Sequence, residues 1–202
     1  MVAMKGELRR THILESSKAI FSSKGYYEAH VEDIIKAAGV GKGTFYLYFK
    51  NKEEIFVSLL VRFLEEWEEV VLRDSERLRS DDILEYFMTL IKRSLLFFQE
   101  HEDLCNIYLR VGPGITSLFE PFMNRFEDKM LAYIVRELDA AREAGILKEN
   151  IDVELAANMI AGAFLRIDYY YFVLKKGVPV DIERMTRDFF TITMTGVLQA
   201  RR

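Results

Sequence analysis

Between Lys42 and Lys52 the chain reads Lys-Gly-Thr-Phe-Tyr-Leu-Tyr-Phe-Lys-Asn-Lys. At 100° per residue, a helix over this run places Phe45 and Phe49 on one side and Gly43, Thr44, Tyr46 and Leu47 on the opposite arc. The phenylalanine side suits packing. The opposite arc carries chemistry for reading a nucleic-acid groove. Thr44 can donate to a phosphate or touch a thymine methyl, Tyr46 offers a ring and a hydroxyl, and Gly43 lets backbone come close. Lys42, Lys50 and Lys52 add charge for phosphates.

Other constellations are weaker. Gly39-Val40-Gly41-Lys42-Gly43-Thr44 lacks the spacing of either nucleotide-binding loop, and no strand precedes it. His101 and Cys105 are spaced like a helix-borne metal pair but straddle a helix boundary, so the segment reads as a polar loop with Cys105 buried. Glu65, Glu66, Glu68 and Glu69 read as a solvated helix face, and no Ser/His/Asp arrangement has spacing for catalysis. The sequence therefore nominates no catalytic residue, metal or cofactor.

The elements positioning these residues are helical throughout. One helix over about 8–24 closes on Lys24-Gly25. The next, 31–38, ends at Gly39, and a third spans 42–48, about 10 Å long and too short to persist alone. Residues 31–48 thus read helix, glycine-containing turn, helix. Asn51, with Glu54 three positions on, opens a fourth helix toward residue 75. Ser80-Asp81-Asp82 caps a helix to about 99, and a stretch from Asp103 breaks at Gly112-Pro113-Gly114. Further helices cover about 118–144, ending at Gly145, 153–176 behind Asp152, and 182–200 behind Asp181. Nine helices are expected.

Arg10, Ile13, Leu14, Ile20, Phe21, Gly25-Tyr26 and Ile34 precede Ala38-Gly39-Val40-Gly41-Lys42-Gly43-Thr44-Phe45-Tyr46-Leu47-Tyr48-Phe49 and Lys50-Asn51-Lys52-Glu53-Glu54. Residues 10–54 in this pattern resemble the DNA-binding domain of TetR-family bacterial transcriptional regulators. The resemblance gives Lys42, Gly43, Thr44, Tyr46 and Tyr48 to the recognition helix as contacts, and makes Lys52 a phosphate contact; Leu47 joins them from its place on the outer arc. His30, where the family usually has a capping Thr, and Gly41, where it usually has Ser, remove two hydroxyls.

The chain has 202 residues, 28 basic and 32 acidic side chains, three prolines and one cysteine. That composition excludes a disordered or low-complexity chain, an intrachain disulfide and a multi-thiolate zinc site. No apolar run reaches the roughly 20 residues of a membrane crossing, and no secretory signal is recognisable, so a cytoplasmic location is expected. Residues 1–52 hold nine Lys/Arg against five Asp/Glu, a net +4, while the remainder is −8. The expected architecture is all-α: residues 1–52 form a three-helix DNA-binding domain with the helix-turn-helix. Residues 53–202 form a larger helical domain for effector binding and dimerisation.

That larger part is rich in aromatics and Met. In the resembled family it binds a small effector between helices, which nominates Phe63, Trp67, Phe87, Ile91, Tyr108, Phe126, Met130, Phe164 and Asp168 as cavity lining. Such a wall selects a largely apolar effector, an acyl chain or a polycyclic compound. The last two helices carry Ala156, Ala157, Ala161, Gly162, Ala163 and Gly196, whose small side chains permit close approach. The expectation is a homodimer through those helices on a near-palindromic double-stranded operator. The function expected is a repressor released from DNA by its effector, the fourth helix acting as lever. The competing reading is a helical ligand carrier or small α-helical enzyme that keeps a helix-turn-helix-like start.

Overall fold

The computed structural model describes residues 2–73, 82–111 and 119–196. The predicted break at Gly112-Pro113-Gly114, and Ser80-Asp81 of the predicted cap, lie outside them. Among the described residues there are nine helices: α1 (Val2–Glu28), α2 (Val31–Ala38), α3 (Lys42–Tyr48), α4 (Lys52–Trp67), α5 (Ile83–Glu100), α6 (Glu102–Val111), α7 (Glu120–Glu143), α8 (Val153–Asp168) and α9 (Ile182–Met194). Two π-helical segments, Glu68–Arg73 and Tyr169–Leu174, prolong α4 and α8.

Most helix ends follow from local chemistry. Asp82 accepts from the amides of Leu84 and Glu85, Asp152 from that of Leu155, and Asp181 from that of Arg184. Each side chain satisfies donors that a helix start leaves without partners. Asn51 Oδ1 accepts from the Glu54 amide at 2.8 Å. Gly39 closes α2 at φ 59°, and Gly145 follows α7 at φ 70°, backbone that suits a residue without Cβ. The predicted stop at Lys24-Gly25 is a kink at Gly25, after which helical turns resume to Glu28. At its other end α1 starts at Val2 rather than near residue 8. The sequence has no Ser, Thr, Asp or Asn over residues 1–4, so no capping signal reveals that start.

The chain packs as two compact units. One comprises Met1–Glu65 with Asp103–Phe122, the other Glu66–Glu102 with Met123–Arg202. In the first, α1 lies against α2 and α2 against α3. Ile13, Phe21, Ile34, Phe45, Phe49, Phe56 and Phe63 are buried at its centre. Ser22 of α1 donates to Asp103 at 2.7 Å, and Asn106 donates to the Ser22 carbonyl, holding α6 in this unit. In the second, α5 packs on α9 and on the π segment after α4. There Phe98, Phe164 and Phe189 stack edge to face in sequence, with centroids 5.8 and 5.7 Å apart. No described helix is long and apolar enough to cross a membrane.

Candidate nucleic-acid interface and ligand cavity

α3 has only seven residues and would be marginal alone. Its inward pair holds it. Phe45 and Phe49 are fully buried, with centroids 5.9 Å apart, and burial of each contributes about 1.5–3 kcal/mol. The Arg10 guanidinium lies 4.9 Å over the Phe49 ring and donates to Ser58 Oγ, closing the pair from behind. His12 Nε2 meets the Ala38 carbonyl at 2.9 Å, fixing α1 to the end of α2. At the start of α2, Asp33 accepts the His30 amide and pairs with Lys24 at 2.8 Å. The Lys24 ammonium and that amide hold the Asp33 carboxyl below its ordinary range.

The opposite arc of α3 is open. Tyr46 is 45% and Leu47 81% exposed. Lys42 and Gly43 are also exposed, while Thr44 and Tyr48 are half-buried. A Cβ built on Gly43 would meet no protein atom within 4 Å, so internal packing does not require the glycine there. Lys42 lies 3.8 Å from Glu32 with both side chains largely in solvent, a pairing worth little and easily exchanged for phosphate. Lys52 differs from the other members of the predicted set. Its ammonium donates to the carbonyls of Tyr26 and Tyr27 at 2.7 and 3.3 Å and lies 4.5 Å from the Tyr26 ring centroid. In this structure two of its three N–H bonds serve the end of α1, because the C-terminal carbonyls of a helix attract cations.

The second unit contains an apolar cavity of about 90 Å³. Of the residues nominated from sequence, Trp67, Phe87, Ile91, Met130 and Phe164 line it. The other four do not. Phe63 stacks on Tyr108 at 5.2 Å within the first unit. Phe126 is buried behind the wall against Trp67, centroids 4.7 Å apart. Asp168 is fully buried, forms no part of the wall, and neither carboxyl oxygen has a hydrogen-bond partner among the described residues. Burial pushes its pKa well above the ordinary carboxylate range.

Sequence reasoning missed much of the remaining wall. Val71 and Leu72 come from the π segment after α4, whose Val70 carbonyl is pinned by Arg93 at 3.0 Å. Leu90 and Ser94 come from α5, Ile160 from α8, and Phe189 and Met194 from α9. α7 adds Tyr133, Ile134, Glu137 and Leu138. Glu137 had a readable signal: Phe126, Met130, Tyr133 and Glu137 recur at helical spacing, so an acid closes an apolar stripe. Its carboxylate accepts from Arg136 Nε and Nη at 3.0 and 2.9 Å. The Arg136 guanidinium covers the Tyr133 ring, and the Tyr133 hydroxyl bonds that of Tyr86. Burial, then that bond, raises the Tyr133 pKa.

The decoys resolve locally. Cys105 is fully buried, and His101 stacks on Phe97 with Nε2 3.4 Å from Glu66. Glu66 and Glu68 are half-buried rather than solvated, and Glu68 pairs with Lys129. Among the described residues no three His, Cys, Asp or Glu side chains are grouped to hold a metal ion.

Comparison with known proteins gives consistent matches. Residues 13–59 match the family described as bacterial regulatory proteins, tetR family. The fatty acid metabolism regulator protein of Bacillus subtilis is 30% identical over 157 residues, covering 74% of this chain and 76% of that protein. The HTH-type transcriptional repressor KstR2 of Mycobacterium tuberculosis is 26% identical over 200 residues, 97% of this chain and 96% of that one. The fold is shared with the transcriptional regulator FadR from Bacillus subtilis, solved in complex with stearoyl-CoA: TM-score 0.78, 24% identity, 92% of this chain and 98% of that chain.

Proposed function

The chain belongs to the TetR family of bacterial regulatory proteins, and from that premise we propose how this ligand-responsive transcriptional repressor works. Residues 1–52 read DNA, and residues 53–202 bind the effector and pair the chains. α3 enters the major groove with Lys42, Gly43, Thr44, Tyr46, Leu47 and Tyr48 toward bases and phosphates. The observation carrying this is the division of α3 itself, with Phe45 and Phe49 sealed inside and Tyr46 and Leu47 in water.

Two chains pair through α8 and α9. Supporting this are exposed apolar side chains on both helices, Leu155 and Met159 one turn apart on α8 and Ile192 on α9, and apolar surface of that kind favours association. A two-fold pair would set its reading helices on half-sites about 34 Å apart in a near-palindrome. The protein acts in the cytoplasm, where its operator is, and carries out no catalytic step of its own.

The effector is largely apolar, and a long acyl thioester is the leading class. One relative regulates fatty acid metabolism and a fold neighbour holds stearoyl-CoA. The cavity here is about 90 Å³, below the roughly 300–1,000 Å³ of drug-sized sites. An acyl chain therefore has to widen it, displacing α4's π extension or α9. That supplies the difference in affinity between two conformations without which no ligand shifts a population. About 5.5 kcal/mol of such preference reverses a 1:99 ratio. α4 carries the movement, since the helix that opens beside α3 ends in Trp67, Val71 and Leu72 of the cavity wall. Titrating stearoyl-CoA and free apolar compounds into the complex with the protein's own upstream DNA, followed by fluorescence anisotropy, tests the proposal. Release by at least one apolar ligand is expected. A complex that survives a broad panel, with no thermal shift of the free protein, overturns it.

A further inference from the structure

We propose that the first turns of α1 grip the phosphate backbone of duplex DNA beside the groove that α3 reads, through Lys5 and Arg9. The inference rests on the assignment of α3 as the reading helix. An open trough of about 630 Å³ runs between α1 and the end of α3, lined by Lys5, Gly6, Leu8, Arg9, His12 and Tyr48. The residues of α1 before position 8, which the sequence pattern leaves out of the helix, are what build its near end.

Lys5 and Arg9 stand one turn apart on the same face, about 6 Å along the helix. Both are exposed, and no ion pair with a carboxylate is formed by either among the described residues. Several other bases of this unit are engaged: Lys18 and Arg62 with Glu15, Lys24 with Asp33, and Arg10 on Phe49 and Ser58; Lys36 and Lys50 are exposed as well but do not line the trough. The trough wall holds no acid. Glu7, the nearest in sequence, falls about 200° around the helix from Lys5.

The remaining lining fits a backbone better than a small ion. At Gly6 a Cβ would lie 3.9 Å from the Tyr48 hydroxyl, so hydrogen at that position leaves the hydroxyl uncovered as a donor to phosphate. His12 is already spent on the Ala38 carbonyl. A free anion is held where donors converge in an enclosed site. Here two long cationic side chains stand in file along an open trough, which matches a row of phosphates.

The test is the salt dependence of binding to duplexes of roughly 30 base pairs, three helical turns. One duplex comes from upstream of the protein's own gene, the other has random sequence of the same length. Neutralising two phosphate contacts should reduce the log–log salt slope by about 1.8 per bound chain. K5Q/R9Q should show that reduction on both duplexes, while the charge-preserving K5R/R9K keeps the wild-type slope. Far-UV circular dichroism confirms that each variant is folded. A K5Q/R9Q slope equal to wild type, or a loss confined to the upstream duplex with unchanged slope, overturns the inference. Wild-type protein that holds neither duplex would fail the repressor reading, and this inference with it.

Discussion

Replacing Asp168 with asparagine should raise the protein's stability by an amount that grows with pH. The carboxyl is fully buried at the end of α8, both oxygens lack hydrogen-bond partners among the described residues, and burial raises its pKa well above 3.8. Ionisation in the unfolded chain sets in near pH 4, whereas the folded chain keeps the proton to higher pH. Stability is therefore fully present below the unfolded pKa and is lost as pH climbs toward the folded one. Within that window the loss is about 1.4 kcal/mol per pH unit. Asparagine has nearly the same shape and no proton to lose. Its advantage over wild type should thus widen with pH across roughly pH 5 to 7, by no more than that rate, or roughly 3–6 °C in Tm per pH unit for a chain of this length. Thermal unfolding at fixed protein concentration across that range measures the gap. A gap that stays flat or narrows as pH rises would mean the folded chain holds Asp168 ionised beside a counter-charge, and the reasoning fails.

Tyr46→Ala should weaken binding to the specific duplex by about 1–3 kcal/mol in an anisotropy titration while leaving Tm nearly unchanged, since its side chain faces water. Phe45→Ala should cost about 3–5 kcal/mol of stability by chemical denaturation and abolish DNA binding with it, because α3 has little else to hold it. Lys52→Met should lower Tm by releasing the Tyr26 and Tyr27 carbonyls, yet leave the salt slope of DNA binding intact; a flatter slope would restore its phosphate role. Ile91→Phe, which fills part of the 90 Å³ cavity, should lower effector affinity measured by calorimetry and leave DNA binding resistant to the effector.

The helix-turn-helix is legible in the sequence because its logic is local. A glycine that must adopt positive φ at Gly39, an amide side chain facing a bare N–H at Asn51, and two phenylalanines four residues apart each leave a mark within one turn. The cavity was legible only in part. Helical periodicity says that Phe63 and Trp67 both face inward, but not that one belongs to a packed core with Tyr108 and the other to a wall. That distinction is tertiary. The π segments were invisible for a related reason: their spacing departs from 3.6 per turn only once packing has drawn Val71 and Leu72 against α5. The Lys52 ammonium at the Tyr26 and Tyr27 carbonyls was not legible either, because a lysine at that position can serve a phosphate or a helix end and the sequence does not show which carbonyls come within reach.

The empty space around Gly43 has a consequence for how such a repressor changes targets. An alanine there would find open space beyond its own helix within 4 Å and is the better helix former. Leu47, projecting into solvent, is likewise detached from the packing that maintains the head. The surface proposed to choose the operator can therefore be rewritten one side chain at a time while the scaffold beneath it keeps its stability.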